Sequence, residues 1–137
     1  MFFFDSSALF KRYLEEEGSE AVRDLCADAE VVGVSVLCVP EILSAAQRLK
    51  REGRMTLGEA TRVKHELQTD LADAKVIGLN EHVIERASDL IESNALKALD
   101  ALHVATAVEA HADLFVSGDE QQLKAARKAG LKVRRVG

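Results

Sequence analysis

The chain begins Met1-Phe2-Phe3-Phe4-Asp5-Ser6-Ser7-Ala8-Leu9-Phe10-Lys11-Arg12-Tyr13-Leu14. The three consecutive phenylalanines predict a short strand that is buried on both faces. This strand stops at a carboxylate, Asp5, and either of the two serines that follow can N-cap a helix. Apolar residues then recur at helical spacing as far as Leu14. An acid directly after a buried strand lies where open α/β sheets bind ligands, although it can also serve simply as a helix cap.

The composition is that of a globular protein. Apolar residues make up 47% of the 137 residues, so we expect one domain spanning 1–137 with a hydrophobic core. The formal net charge of −5 argues against nucleic-acid binding through an overall positive field. The apolar N-terminus lacks the basic region and cleavage site of a signal peptide, and no apolar stretch reaches the length of a membrane span. We therefore expect a cytoplasmic protein with no membrane partner, in which Cys26 and Cys38 are buried thiols without a disulfide.

Strand patterns alternate with helix patterns along the whole chain. Strands are predicted at about 2–4, 31–34, 75–79, 113–117 and 131–136. Helices are predicted at about 6–17, 19–25, 35–53, 56–74, 80–94, 96–112 and 120–129. Gly18 is expected to end the first helix, and Thr56 with Glu59 to form a capping box that opens the fourth. This order predicts an α/β fold with a parallel sheet of four to five strands and helices on both faces.

Two helical regions carry further apolar patterns. The helix at 96–112 is expected to bury one face, formed by Leu99, Leu102, Ala105, Val108 and Ala112. The helix pair at 41–74 holds more apolar positions than a small core obviously consumes, including Ile42, Leu49, Leu57 and Val63. This excess predicts a homodimer.

Four acidic residues are predicted to meet at one edge of the sheet. Asp5 and Asp119 follow strands, and Glu41 opens the helix after the second strand, so right-handed crossovers bring all three to the same edge. Asp100 precedes the fourth strand and needs the fold to bring it there. Clustered carboxylates repel one another unless they are protonated or hold cations, and oxygen ligands favour Mg²⁺ or Mn²⁺. Taken singly, each acid also has a structural explanation, as a helix-cap acid or, for Asp100, as an ion-pair partner of Lys97.

The chain resembles the PIN-domain ribonucleases, and in particular the VapC-type toxins of toxin–antitoxin pairs. The resemblance covers nearly the whole chain. It rests on Phe4-Asp5-Ser6-Ser7-Ala8-Leu9 with Lys11 and Tyr13, on Glu41 within an apolar helix, on Asp100-Ala101-Leu102-His103-Val104-Ala105-Thr106-Ala107, and on Phe115-Val116-Ser117-Gly118-Asp119 with Leu123. It implies an endoribonuclease that cleaves RNA with metal-activated water, a homodimer, and a protein antitoxin that blocks the site.

The resemblance also implies roles for individual residues. Asp5, Glu41, Asp100 and Asp119 match the acidic residues that are catalytic and bind the metal ion, Mg²⁺ or Mn²⁺. Ser7 matches a supporting hydroxyl after the first acid, and Ser117 matches one before the last. The number of ions stays open, because some members carry a further acid shortly after the last aspartate. Here Glu120 adjoins Asp119 and the next two residues are neutral glutamines.

Basic residues near the first acid are candidates for contacting RNA. Lys11 and Arg12 are expected to touch RNA phosphates because the sequence ties them to the metal site. His103 is interpreted as a structural residue that orients Asp100 or a neighbouring helix. The histidines and cysteines show no zinc-ligand spacing, and the chain contains neither a G-x-G-x-x-G motif nor a P-loop.

Other functions remain as alternatives. A haloacid-dehalogenase-like phosphatase also places an Asp after its first strand, but it carries a second Asp two residues later, where this chain has Ser7. A receiver-like signalling domain needs an acidic pair at that point, and here only Asp5 is present. A non-catalytic RNA-binding PIN-like module is a third alternative, although it would not need all four acids.

Overall fold

Five short strands form the centre of the molecule. The computed structural model describes residues 1–137. The strands are β1 (Phe2–Phe4), β2 (Val32–Ser35), β3 (Lys75–Ile77), β4 (Leu114–Ser117) and β5 (Val133–Arg135). They make one sheet in the order β3-β2-β1-β4-β5, and every neighbouring pair is parallel. The predicted parallel sheet is therefore confirmed, with β5 as one of its edge strands.

Seven helices connect the strands. They are α1 (Ser6–Lys11), α2 (Ser19–Asp28), α3 (Cys38–Arg51), α4 (Leu57–Asp73), α5 (Glu81–Ser93), α6 (Ala98–Glu109) and α7 (Glu120–Lys128). The predicted capping box is present, since the Thr56 hydroxyl accepts a hydrogen bond from Glu59 N and the Glu59 carboxylate accepts one from Thr56 N, both at 3.0 Å. None of these helices is both long and apolar enough to cross a membrane.

The sheet separates two hydrophobic cores, because successive strand residues face opposite sides. Phe4 and Val116 are buried in a core formed with α1 to α4. Phe3 and Phe115 are buried in the other core, formed with α5 to α7, where their rings stack at a centroid distance of 5.9 Å. Helices therefore cover both faces, as predicted, and the central strands are buried on both sides.

The register of the two central strands places their C-terminal ends side by side. Phe4 pairs with Val116, and Asp5 N donates to the Val116 carbonyl at 3.1 Å. Asp5 therefore leaves the sheet next to Ser117, although these residues lie 112 positions apart in the sequence.

The predicted end of the first helix is wrong. Helix α1 stops at Lys11, and Gly18 serves as the N-cap residue of α2 instead of ending α1. The chain leaves the helix because the Tyr13 ring is buried in the core and its hydroxyl donates to Asp70 at 2.7 Å. Gly18 has φ of 91°, and a Cβ there would lie 2.8 Å from Gly137 N, so both conformation and space require glycine.

The predicted buried face of α6 is only partly correct. The helix ends before Ala112, and Leu99 is 47% exposed. Ala105 and Ala112 are buried as predicted, but Val104 and Ala107, which lie outside the predicted stripe, are buried as well. Helix α6 packs against α5 and also against β2. A helix that packs against neighbours on two sides buries residues around most of its circumference, so a single apolar stripe does not predict which residues are buried.

Candidate active site

A small polar cavity opens at the C-terminal edge of the sheet. We call it the acidic cavity. It has a volume of about 130 Å³ and is lined by Asp5, Ser6, Ser7, Glu41, Asp100, His103, Asp119 and Gln122. All four acids that the sequence predicted to meet therefore line one cavity. Parallel α/β sheets bind ligands at this edge.

Asp5 forms the buried floor of the cavity. Its side chain accepts hydrogen bonds from Ala8 N at 2.8 Å, from the Ser7 hydroxyl at 3.1 Å and from the Ser117 hydroxyl at 2.7 Å. The first of these contacts caps α1. Burial nevertheless outweighs these donors and raises the pKa of Asp5, which is 1% exposed. Asp5 is thus a rigidly held carboxylate whose charge is costly without a cation.

Asp119 lies at the start of α7. One oxygen, Oδ1, accepts hydrogen bonds from Gln121 N at 2.8 Å and from Gln122 N at 3.4 Å, so the side chain caps the helix. Asp119 N donates to the Ser117 hydroxyl at 2.9 Å, and that hydroxyl in turn donates to Asp5. Ser117 therefore links two of the acids.

Asp100 lies in the first turn of α6 and faces its like-charged neighbours. Burial raises its pKa, and the nearby charges of Asp119 and Asp5 raise it further. Its only hydrogen-bond donor is the Gln122 side-chain amide, at 3.1 Å. The alternative ion pair with Lys97 is not formed. This carboxylate is therefore held close to other negative charges.

Glu41 lies in the first turn of α3. Its Oε1 accepts a hydrogen bond from the Ser6 hydroxyl at 2.7 Å and lies 2.5 Å from His103 Nε2. Burial works to raise the pKa of Glu41, but the hydrogen bonds from His103 and Ser6 outweigh it and hold the pKa below its ordinary value. Protein groups therefore stabilise the ionised form of Glu41, whereas burial disfavours the ionised forms of Asp5 and Asp100.

Three cavity residues were not predicted from the sequence as site residues. Ser6 was interpreted as a possible helix cap, and His103 as a structural residue. Gln122 was noted only as a neutral residue near Asp119. Spacing could have revealed two of them, because His103 lies one turn after Asp100 on α6 and Gln122 lies three residues after Asp119.

The two basic residues predicted to contact RNA do not line the acidic cavity. Lys11 forms an ion pair with Glu16 at 3.0 Å. Arg12 pairs with Asp70 at 2.8 Å and lines a separate cavity beside Tyr13. An RNA contact by either residue would have to replace or extend these pairs.

The donors in the acidic cavity suit a hard divalent cation. One oxygen each of Glu41, Asp100 and Asp119 accepts no hydrogen bond from the protein. No three His, Cys, Asp or Glu side chains are already arranged to hold an ion among themselves. Mg²⁺ does not require such a cage, because it keeps several waters and binds through one or two carboxylates together with phosphate oxygens. The mutual repulsion at Asp100 provides the electrostatic reason for a cation to bind.

Comparison with known proteins identifies the family of the chain. A family model described as PIN domain matches residues 2–128. Ribonuclease VapC45 of Mycobacterium tuberculosis (strain CDC 1551 / Oshkosh) is 27% identical over 106 residues, which are 77% of this chain and 74% of that protein.

Solved structures share the fold. Mycobacterium tuberculosis VapC20, described as a toxin that cleaves the sarcin–ricin loop, has a TM-score of 0.72 at 16% identity and covers 98% of this chain and 99% of its own. A toxin–antitoxin complex from Klebsiella pneumoniae has a TM-score of 0.68 at 18% identity and covers 90% of both chains. Because the family model matches nearly the whole sequence, the chain belongs to the PIN-domain family, with VapC ribonucleases among its relatives.

Proposed function

We propose that the protein is a Mg²⁺-dependent endoribonuclease, able to use Mn²⁺, that acts in the cytoplasm as the toxin of a toxin–antitoxin pair. The observation that carries the proposal is the meeting of Asp5, Glu41, Asp100 and Asp119 in one small cavity at the ligand-binding edge of the sheet. Its support comes from the family match and from the VapC ribonucleases among the relatives.

The four acids are expected to play different roles in binding the metal ion. Asp5 is fixed by donors from three residues and would be the invariable part of the site. Glu41, Asp100 and Asp119 each keep an oxygen free for the ion or for its water ligands. The bound ion would lower the pKa of a water molecule and neutralise charge on the scissile phosphate. Without a cation the same acids repel an RNA phosphate, so the chain's own residues couple substrate binding to metal binding.

The proposed substrate is RNA, with Lys11 and Arg12 as phosphate contacts beyond the cavity. Both side chains are partly buried, and each is held in an ion pair of the protein. A phosphate that approaches Arg12 would compete with Asp70 for the guanidinium group. Lys11 and Arg12 are therefore expected to contribute less to RNA affinity than basic residues that have no ion-pair partner in the protein.

The proposed partner is a protein antitoxin that offers an Arg or Lys to the acidic cavity. A guanidinium group pairs well with carboxylates in a partly buried site and would replace the cation there. The toxin–antitoxin complex among the solved structures with this fold supports such a partner.

Cleavage of an RNA pool tests the proposal. Wild-type protein should cleave in Mg²⁺ and not in chelator. The Asp100→Asn variant should lose cleavage by well over about 10-fold, since even residues that only support a metal ligand cost about 10–100-fold when changed. Asp89→Asn is the matched control, because Asp89 lies on the exposed surface of α5, outside the acidic cavity.

Filter binding separates loss of cleavage from loss of RNA affinity. At one fixed salt concentration, metal-free Asp100→Asn should bind RNA as tightly as wild type or more tightly, because repulsion has fallen. Wild-type cleavage that persists in chelator would refute the metal mechanism. Full cleavage by both Asp5→Asn and Asp100→Asn would refute the site assignment, and RNA binding without any cleavage would favour a non-catalytic module.

A further inference from the structure

A buried histidine makes its shortest polar contact with one of the candidate metal-binding acids. His103 is 1% exposed on α6. Its Nε2 lies 2.5 Å from Glu41 Oε1 and 3.1 Å from the Ser6 hydroxyl, whereas its Nδ1 has no hydrogen-bond partner. Because a carboxylate can only accept, the ring proton lies on Nε2.

This pattern is unfavourable for a purely structural residue. Burying a polar ring atom without a partner costs stability, and an apolar side chain of the same size would avoid that cost at this position. The only polar groups that His103 contacts are Glu41 and Ser6, and all three residues line the acidic cavity. A buried polar side chain, that of His103, therefore replaces the expected apolar one at the place where we propose a functional site.

Glu41 is the acid that most needs to be positioned. The aspartates reach the cavity on short side chains and accept hydrogen bonds from neighbouring backbone or side-chain groups. Glu41 has a longer, more flexible side chain, and its donors come from two other helices, α1 and α6. Both donors bind the same oxygen, Oε1, and Oε2 keeps no protein partner. Two donors on one oxygen fix the direction of the other oxygen.

We propose that His103, together with Ser6, is a positioning residue that holds Glu41 Oε1 and thereby presents Oε2 to the hydrated cation. The proposal rests on the metal-dependent ribonuclease function proposed above. The lowered pKa of Glu41 is consistent with it, since burial alone would raise that pKa. In the absence of His103, Glu41 would remain in the cavity but would sample several rotamers.

Two amide substitutions test the role of the Nε2 donor. In His103→Gln the amide nitrogen can reach the place of Nε2, whereas in His103→Asn it reaches only about as far as Nδ1. The Asn variant should have a kcat about 10–100-fold lower than wild type, and its KM for RNA should change by less than about 3-fold. This is the effect expected for a residue that hydrogen-bonds to a metal ligand. The Gln variant should recover most of that loss. Ser6→Ala should lower kcat in the same direction by a smaller factor.

Metal binding gives a readout other than cleavage. Mn²⁺ titration followed by electron paramagnetic resonance should show affinity about 10-fold weaker or more in His103→Asn and close to wild type in His103→Gln. In a Glu41→Gln background, His103→Asn should change Mn²⁺ affinity by less than about 2-fold, because its effect passes through Glu41.

The outcomes separate this inference from the proposed function. If wild type cleaves RNA in Mg²⁺ but His103→Asn keeps wild-type kcat and Mn²⁺ affinity, the positioning role is wrong and the ribonuclease stands. The positioning role would also be wrong if His103→Asn weakened Mn²⁺ binding equally in the Glu41→Gln background. It would be wrong as well if folded His103→Asn and His103→Gln variants lost kcat equally. If His103→Asn does not fold, Ser6→Ala decides, because it removes the other donor without altering the buried ring. A wild type that never cleaves RNA would refute the proposed function instead.

Discussion

Replacing Asp5 with asparagine should stabilise the metal-free protein while abolishing the proposed RNA cleavage. Asparagine keeps the shape of the side chain and remains a good N-cap for α1, so the contact with Ala8 N can persist. What is lost is a buried negative charge whose pKa is raised because burial outweighs the surrounding donors. In chelator, Asp5→Asn should therefore unfold at a higher temperature than wild type.

The expected rise in melting temperature follows from the gain in free energy and from the length of the chain. A single stabilising substitution commonly gains about 0.5–2 kcal/mol. A chain of 137 residues unfolds with an entropy of about 0.3 kcal/mol per kelvin, so this gain corresponds to about 2–7 °C. Saturating Mg²⁺ should reverse the order of stability. An ion at 100 times its Kd adds about 2.7 kcal/mol to the wild type, and it should add much less to a variant that lacks one of the proposed metal-binding carboxylates.

The pH dependence has a defined sign. A carboxyl group whose pKa is raised in the folded state binds more protons there than in the unfolded chain, so wild-type stability falls as pH rises through the folded pKa. The advantage of Asp5→Asn should therefore be present at neutral pH and vanish below about pH 4, where the unfolded carboxyl is also protonated.

Thermal denaturation in chelator and in Mg²⁺, at several pH values, measures these effects. Asp113→Asn is the matched control, because Asp113 is exposed and its pKa is lowered by its hydrogen bond to the N-terminal ammonium group. That variant should gain no stability and should respond to Mg²⁺ as wild type does. A metal-free Asp5→Asn protein that is less stable than wild type at neutral pH would refute the reasoning.

Three further predictions concern the surroundings of the site. Tyr13→Phe should lower the free energy of unfolding by about 1–2 kcal/mol in urea denaturation, because the buried hydroxyl donates to Asp70; an unchanged midpoint would contradict this. Gly118→Ala should lower the free energy of unfolding by about 1–3 kcal/mol, because the added Cβ would lie 2.8 Å from the Val136 carbonyl oxygen. It should also reduce cleavage, because Asp119 follows directly. Full stability and activity in this variant would contradict the prediction. Sedimentation at tens of micromolar should show a homodimer, and a monomer alone would refute it; the core buries Ile42 and Val63, so Leu57, 67% exposed, is the better candidate for the interface.

The sequence patterns were sufficient to predict the sheet and the meeting of Asp5, Glu41 and Asp119, whereas Asp100 was assigned to the site through the family resemblance. Three apolar residues followed by Asp5 predict a buried strand and an acid at its end, and the topology of parallel sheets then brings Asp119 and Glu41 to the same edge. These inferences depend on local patterns and on one general rule of chain connection, so they survive errors of a few residues in the helix bounds.

The finer features depend on contacts between distant residues. Helix α1 ends early because Tyr13 meets Asp70, 57 positions away. His103 contacts Glu41 across 62 positions, and spacing along α6 alone cannot show which acid it serves. Local periodicity does not show which distant residues meet, which explains why the donors to Glu41, Ser6 and His103, were not predicted as site residues.

The adjacency of β1 and β4 has a consequence for synthesis. Asp5 is made early and Ser117 follows 112 residues later, an interval of about 6–20 s at ordinary rates of elongation. Until β4 emerges, β1 lacks one of its two neighbours in the sheet and Asp5 lacks the hydroxyl that links it to Asp119. The acidic cavity is therefore assembled late in synthesis, and an incomplete nascent chain does not contain it.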